Sequence, residues 1–337
     1  MINRYRVIGA IGSPYSMKLR AIMRYRRLPH DWVHRSPALE EELNGKIKVK
    51  LVPILHIPWE DRYMIDSTPI AYELERRHTE RSILPPDPGL AFLCHLIEDM
   101  ADEWGTKSMF LQRFATPEDQ LYSAGWVIAD FRPDLSGDAF EQAVLAFRDR
   151  QVSRMPLVGA TPENAPVIME AYWRVLRALA PYVRINKYLF GTRPSLADFG
   201  WFGMLKTQAT DTTPMTEMRA NVPMVEHWVR QVDDLSGVDG DWISGVGELP
   251  EPTRELLRLV GEVYLPFLAA NTKAANEGKD RFEIELLGKP YGQAPFPYQV
   301  KCLEWLREEF AGLSDEAREG IRPLLEQTGC WHVLAEH

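Results

Sequence analysis

Leu51-Val52-Pro53-Ile54-Leu55, followed ten residues on by Ile65-Asp66-Ser67-Thr68-Pro69-Ile70, carries the reading of this chain. It describes a strand that begins at a proline, a turn, a second strand, and a helix opening on a capping serine. A proline cannot donate to a sheet ladder, so Pro53 belongs at a strand's first residue or at an edge, where the neighbouring main chain is free to pair with something else. Ser67 stands just before a helical run, where a hydroxyl caps free amides and the helix dipole favours a carboxylate. A backbone edge able to pair with a peptide thus lies near a seat suited to a peptide's terminal carboxylate.

Working outward, residues 5–80 alternate strand and helix signals. Tyr5 to Ile11 is an apolar β-branched run, Pro14 to Leu28 has helical spacing, Trp32-Val33-His34 is a short strand and Pro37 to Leu43 a short helix. Strands at Val52 to Ile57 and Tyr63 to Ile65 and a helix from Pro69 to His78 complete a β-α-β-α-β-β-α order. Pro85-Pro86-Asp87-Pro88-Gly89 then punctuates the chain. Beyond it helical periodicity dominates, over 90–114, 139–152, 162–188, 195–208, 224–235, 252–275, 298–311 and 314–327. The expected architecture is α/β plus all-α: a small domain over residues 1–84, then a helical one over 90–337, divided into a core at 90–235 and an extension at 236–337.

A chain of 337 residues is ample for a buried core, and its 45% hydrophobic and 26% charged content are those of a globular protein. No apolar run approaches the roughly 20 residues of a membrane span. The polar start, Met1 to Arg6, lacks the pattern of a signal peptide, so the expectation is a cytoplasmic protein with no membrane partner. A formal charge of −9 argues against general nucleic-acid affinity, which needs lysine and arginine against phosphate. Cys94, Cys302 and Cys330 are far apart and the eight histidines lack ligand spacing, so neither a disulfide framework nor a metal site is expected.

The order of elements and four motifs resemble the cytosolic glutathione S-transferase superfamily, which joins a thioredoxin-like βαβαββα domain to an all-helical one. Ser13-Pro14-Tyr15-Ser16-Met17-Lys18 is similar to the serine form of the family's first-helix motif, as in tau-like classes. Val52-Pro53 is similar to its cis-proline turn, and Asp66-Ser67 to its pair of acidic residue and serine. Leu189 to Phe199, containing Ser195 and Asp198, is similar to the helix-capping signature of the second domain, a box in which two side chains satisfy each other's amides. The likeness covers roughly residues 5–235 and gives no guide to the rest.

The resemblance implies glutathione as cosubstrate and assigns roles. Ser13, an N-cap with Pro14 behind it, would donate to the glutathione sulfur and favour the reactive thiolate, with Ser16 its rival. Tyr15 would border the site. Val52, beside Pro53, would pair with the cysteinyl backbone by strand addition. Ser67 would hold the γ-glutamyl carboxylate, Asp66 the ammonium group, and Lys50 would reach the glycyl carboxylate. No cysteine precedes Cys94, which disfavours the cysteine classes. The second pocket is expected between the domains, lined by Trp104 and Phe110 of the first long helix. The leading expectation is a homodimeric transferase that joins glutathione thiolate to an apolar electrophilic small molecule. The alternative is a non-catalytic binding or scaffold protein that meets a partner through its extension.

Overall fold

The computed structural model describes residues 3–48, 51–185 and 188–335. The first domain contains β1 (Tyr5–Ile8), α1 (Pro14–Tyr25), β2 (His30–Val33), α2 (Pro37–Leu43), β3 (Ile54–Ile57), β4 (Arg62–Ile65) and α3 (Ser67–Arg77). The sheet order is β2-β1-β3-β4, with β1 parallel to β2 and β3 antiparallel to both β1 and β4. Strand alternation divides its apolar side chains between two faces. Val7, Leu55 and Ile57 pack with Leu19 and Met23 of α1 and Ile70 and Leu74 of α3. Ile8 and Ile54 pack on the other face with Leu39 and Leu43 of α2. All four residues of β3 are buried, His56 among them, which explains why the strand lacks polar alternation. This is the thioredoxin-like order expected.

The second part begins with α4 (Pro88–Glu103) and α5 (Gly105–Arg113), where one helix over 90–114 was expected. The axis breaks at Trp104-Gly105, and Gly105 lies against Met204 and Trp201. A helical hairpin follows, α6 (Pro117–Phe131) and α7 (Gly137–Val152). Sequence reading found α7 but missed α6, although Thr116 caps it, accepting from the Asp119 amide with Pro117 at the first helical position. Next come α8 (Ala165–Leu179), α9 (Leu196–Gln208), α10 (Thr212–Asn221), which was also missed, and α11 (Pro223–Val232). The capping box at Ser195 and Asp198 is complete, and Asp198 also accepts from the Leu189 amide at 3.1 Å. α9 packs against both α1 and α4, and a Cβ on Gly203 would come within 2.6 Å of the Pro14 carbonyl, so only glycine allows that approach.

The remainder consists of α12 (Glu251–Leu259), α13 (Leu265–Asn276), β5 (Phe282–Leu286), β6 (Lys289–Gln293), α14 (Pro297–Gly312), α15 (Asp315–Gln327) and α16 (Trp331–Ala335). The expectation of helices alone fails here, because residues 282–293 form an antiparallel hairpin. Its turn places Leu287 at φ 52° and Gly288 at φ 69°, the two left-handed positions of a tight hairpin turn, and Leu-Gly is a weak signal for it. The extension is no separate body. One apolar core runs from Met17 and Ala71 through α4, α8 and α9 to Phe267, Tyr291, Cys302, Phe310 and Leu334. Among the described residues no helix is long and apolar enough to cross a membrane.

Lys18 joins the two parts. Its Nζ is buried and bonds Glu98, Asp102 (2.7 Å) and the Thr68 hydroxyl (3.2 Å), tying α1, α3 and α4 together. Burial opposes its charge, but Asp102 and Glu98 outweigh burial and hold its pKa above the ordinary lysine value. Removing the cation strands two buried carboxylates. Lys18→Met should therefore lose about 3–5 kcal/mol of stability, measured by urea unfolding, and adding Glu98→Leu and Asp102→Asn should restore most of it. A loss under about 1 kcal/mol, the worth of an exposed pair, would contradict this role.

Candidate functional site

The register brings the quoted motifs to one end of the sheet. Ile8 pairs with Ile54 and Ile54 with Ile65. Because β3 runs against β1 and β4, the segments after β1, before β3 and after β4 emerge side by side. These hold Ser13, Val52-Pro53 and Asp66-Ser67. β2, parallel to β1, sends residues 34–37 to the same end.

Each segment is fixed locally. Ser13 has extended φ and ψ (−100°, 119°) and caps α1, its Oγ accepting from the Ser16 amide at 3.3 Å. That bond uses a lone pair, so the hydroxyl proton remains available to donate. The loop before it is held from the helical part: Asp130 accepts from the Ile11 amide at 2.7 Å, and Arg113, paired with Asp211 at 2.7 Å, donates to the Gly12 carbonyl at 3.0 Å. The Val52–Pro53 bond is cis, and Val52 lies outside the β3 ladder. Asp66, at φ 75°, caps α3 through the Thr68 amide, where the sequence pointed to Ser67; Ser67 is instead the first helical residue, and a hydroxyl there faces inward rather than back over the free amides.

The end of α3 carries more of the chain's own charge than the sequence indicated. Ser67 is buried, and its hydroxyl donates to Asp102 at 3.4 Å; the Thr68 hydroxyl donates to Glu98 at 2.6 Å. Tyr298 of α14 donates to Asp66 Oδ2 at 2.6 Å. Burial, then the Asp66 charge, raises the Tyr298 pKa and keeps the phenol a donor. Behind this end lies an acidic row on α4. Burial pushes Asp99 up to about 6, Asp102 up to about 7 against the pull of Lys18, and Glu103 up to about 8 with repulsion from Asp99 and Asp102 added. Gln299 donates to Glu103 at 3.3 Å, and Tyr264 to Asp99 at 2.6 Å. Among the described residues no three potential metal ligands cluster.

A cavity of about 690 Å³ opens beside the proline edge. Leu51 and Val52 form one wall, Arg35, Ser36, Pro37 and Glu40 a second, and Ile128, Phe131, Arg132, Phe147, Arg150, Gln151 and Arg154 of the α6–α7 hairpin and the turn after it the third. The hairpin has its own small core of Ala124, Ile128 and Val144 backed by Phe140 and Phe147. It is seated on the Ser13 loop, where a Cβ on Gly12 would lie 2.8 Å from Val127.

Of the residues singled out from sequence, Ser13, Val52, Pro53, Asp66 and Ser67 share this end of the sheet, and Val52 lines the cavity. Lys50 lies outside the described residues. Ser16 is fully buried beneath Gly9, its hydroxyl without a partner among the described residues, and is withdrawn from the cavity. Tyr15 donates to the Asp102 carbonyl at 3.1 Å, which commits its phenol to the domain junction. Trp104 and Phe110 do not line the cavity. Trp104 is buried against Phe267 and Tyr291 in the core that the extension completes, and Phe110 packs on Phe114. The wall from the helical part comes instead from the hairpin whose first helix was missed. Lys18, Asp102 and Tyr298 were also missed; a buried lysine and a contact across 232 residues leave no local signal.

Residues 7–82 match the family model described as "Glutathione S-transferase, N-terminal domain". The match lies within the first domain, and a helical part follows it. No curated protein matches. Solved structures similar in part include a glutathione S-transferase from Methylobacterium radiotolerans in complex with glutathione sulfonate, 18% identical over 72% of this chain and 97% of that one, with a TM-score of 0.38. Another, from Methylobacillus flagellatus with glutathione bound, is 17% identical over 69% and 96%, with a TM-score of 0.39. The Tau class enzyme of mango, Mangifera indica, is 15% identical over 68% and 87%, with a TM-score of 0.35. At such distances the site is read from this chain's own residues.

The acidic row makes stability depend on pH. The Glu103 pKa is raised above its unfolded value, so its contribution is complete below the ordinary glutamate range and is lost as pH rises through about 8. Glu103→Gln mimics the protonated form. Relative to the variant, the native protein should lose up to about 1.4 kcal/mol per pH unit between about pH 5 and 8. Urea midpoints that change with pH in parallel for the two proteins would refute the assignment.

Proposed function

We propose that the chain is a glutathione-dependent transferase, and one observation carries the reading: the capping serine, the backbone at Val52 that lies outside the ladder before β3, and the α3 terminus converge at one end of the sheet beside an open cavity. A γ-glutamyl peptide fits that arrangement. Its cysteinyl backbone pairs with Val52, and its amino end meets the carboxylate of Asp66 near the hydroxyl of Ser67. Its sulfur then lies toward Ser13, whose free hydroxyl proton and helix end stabilise a thiolate. The cosubstrate, not the protein, supplies the nucleophile. All three cysteines are buried, and burial raises the thiol pKa of each.

Tyr298 belongs to this site as a positioning residue. It holds one oxygen of Asp66 while the Thr68 amide holds the other, fixing the carboxylate that receives the ammonium group. The same contact weighs against the scaffold reading, because α14 buries Cys302, Leu303 and Phe310 on its own chain and leaves few large apolar groups, Trp305 among them, exposed. A homodimer in the cytoplasm remains part of the proposal. With α14 bonded through Glu309 to Tyr72 of α3 and His95 of α4, symmetric pairing is confined to the surfaces left open.

Isothermal titration with glutathione, followed by ultraviolet titration of the bound thiol, tests the reading. Ser13→Ala should leave affinity nearly unchanged and raise the bound thiol pKa by about one unit, a tenfold loss of thiolate at neutral pH. Asp66→Asn should weaken binding about tenfold or more through loss of a charge-assisted contact. Absence of binding at millimolar glutathione would overturn the proposal.

A further inference from the structure

The cavity beside Val52 carries a charge pattern that the transferase reading does not require. Its apolar floor is formed by Val52, Ile128, Phe131 and Phe147, and four arginines, Arg35, Arg132, Arg150 and Arg154, stand around it. Glu40 is the sole acidic group in the lining and is bonded to Arg35 at 2.7 Å; Arg132 pairs with Asp134 at 2.8 Å. Among the described residues, no carboxylate is paired with Arg150 or Arg154. They stand four residues apart at the end of α7 and just past it, a spacing at which like charges repel on a helix. A chain of net charge −9 thus places uncompensated positive charge over an apolar floor at a cavity. The cavity volume lies within the range of small-molecule sites, in which a few polar groups orient an apolar body.

We infer that this cavity selects an acceptor with an apolar, electrophilic body and an anionic group, a carboxylate or sulfonate, at its far end. Arg150 and Arg154 hold the acid while Phe131 and Phe147 cover the body. The Arg35 guanidinium, 5.7 Å from the Phe131 ring, is held across the cavity by that contact and by Glu40. Arginine suits this task because its planar fork meets a carboxylate with two parallel hydrogen bonds. The electrophilic carbon then points toward Val52 and the sulfur beside it. The assignment rests on the glutathione reading only for the identity of the nucleophile. A carboxylate could also reach the rim from glutathione's own glycyl end, and the two sources are separable.

The decisive comparison uses a chlorodinitrobenzoate and its uncharged amide as paired acceptors. In each, the thiolate sulfur supplies the electron pair of the new carbon–sulfur bond, chloride leaves with the pair of the carbon–chlorine bond, and the thiol proton passes to solvent. The double variant Arg150→Gln, Arg154→Gln should lower kcat/KM for the benzoate about fivefold, as befits exposed charge pairs, mainly through KM, and the amide less than twofold. The benzoate effect should shrink as salt is raised. Equal losses for both acceptors, or none, would overturn the inference.

Two binding measurements stand apart from turnover. Anilinonaphthalene sulfonate should bind the native protein more tightly than the double variant, whereas an uncharged naphthalene dye should not distinguish them. If glutathione fails to bind but this difference persists, the anion site stands and the glutathione reading falls. Titration with glutathione and with γ-glutamylcysteine, which lacks the glycyl carboxylate, separates the sources. An unchanged ratio of the two affinities in the double variant supports the acceptor, and a ratio that collapses assigns the arginines to glutathione instead.

Discussion

One buried ammonium group sets the geometry on which the rest depends. Lys18 stands on the first helix of the first domain, and both its carboxylate partners, Glu98 and Asp102, stand on the first helix of the second. A buried ion pair adds little net stability but strongly penalises any arrangement that leaves one member alone. Here a single cation serves two carboxylates and also receives support from Thr68 at the start of α3. The domains are thereby registered at the point where the strand-end segments converge. Ser13, five residues before Lys18, and Asp66, two before Thr68, take their positions from that junction.

Around the junction the chain separates its charges. Acidic groups are gathered inward on α4, where burial raises the affinity of Asp99, Asp102 and Glu103 for protons, and tyrosines reach in as neutral donors: Tyr15, Tyr264 and Tyr298. Outward, Arg132, Arg150 and Arg154 of the α6–α7 hairpin and the turn after it stand around the cavity beside Val52. A molecule lying from Asp66 to Arg154 would have a carboxylate at one end and guanidinium groups at the other. The ammonium end of a γ-glutamyl peptide and the acid end of an acceptor are suited to the two poles.

What could be read from sequence was what is local in the chain. Pro53, the capping serine at position 13 and the box at Ser195 and Asp198 each depend on neighbours within a few residues and stand where their chemistry placed them, whereas at the head of α3 the cap is Asp66 and Ser67, read as the cap, is drawn inward to Asp102. The hairpin at 282–293 escaped because Leu287-Gly288 is an uncommon turn pair and Pro290 breaks its second strand's pattern. α6 escaped because its apolar face turns toward α7 and a short loop and not toward the main core, which weakens its periodicity. Trp104 and Phe110 were placed at the pocket by their helix alone. The kink at Gly105, which no periodicity reveals, and the extension's Phe267 and Tyr291 account for Trp104 lying in the core. Tyr298 was invisible because its partner lies in the other domain.

That last contact bears on how the chain is made. Asp66 leaves the ribosome first, and Tyr298 follows 232 residues later. The first domain can assemble its sheet beforehand, since all four of its strands lie within residues 5–65 and pair with one another. The seat at the head of α3 is different. It waits for α14, and until then Asp66 lacks its Tyr298 partner. The growing chain therefore acquires its sheet before the contact that completes the head of α3.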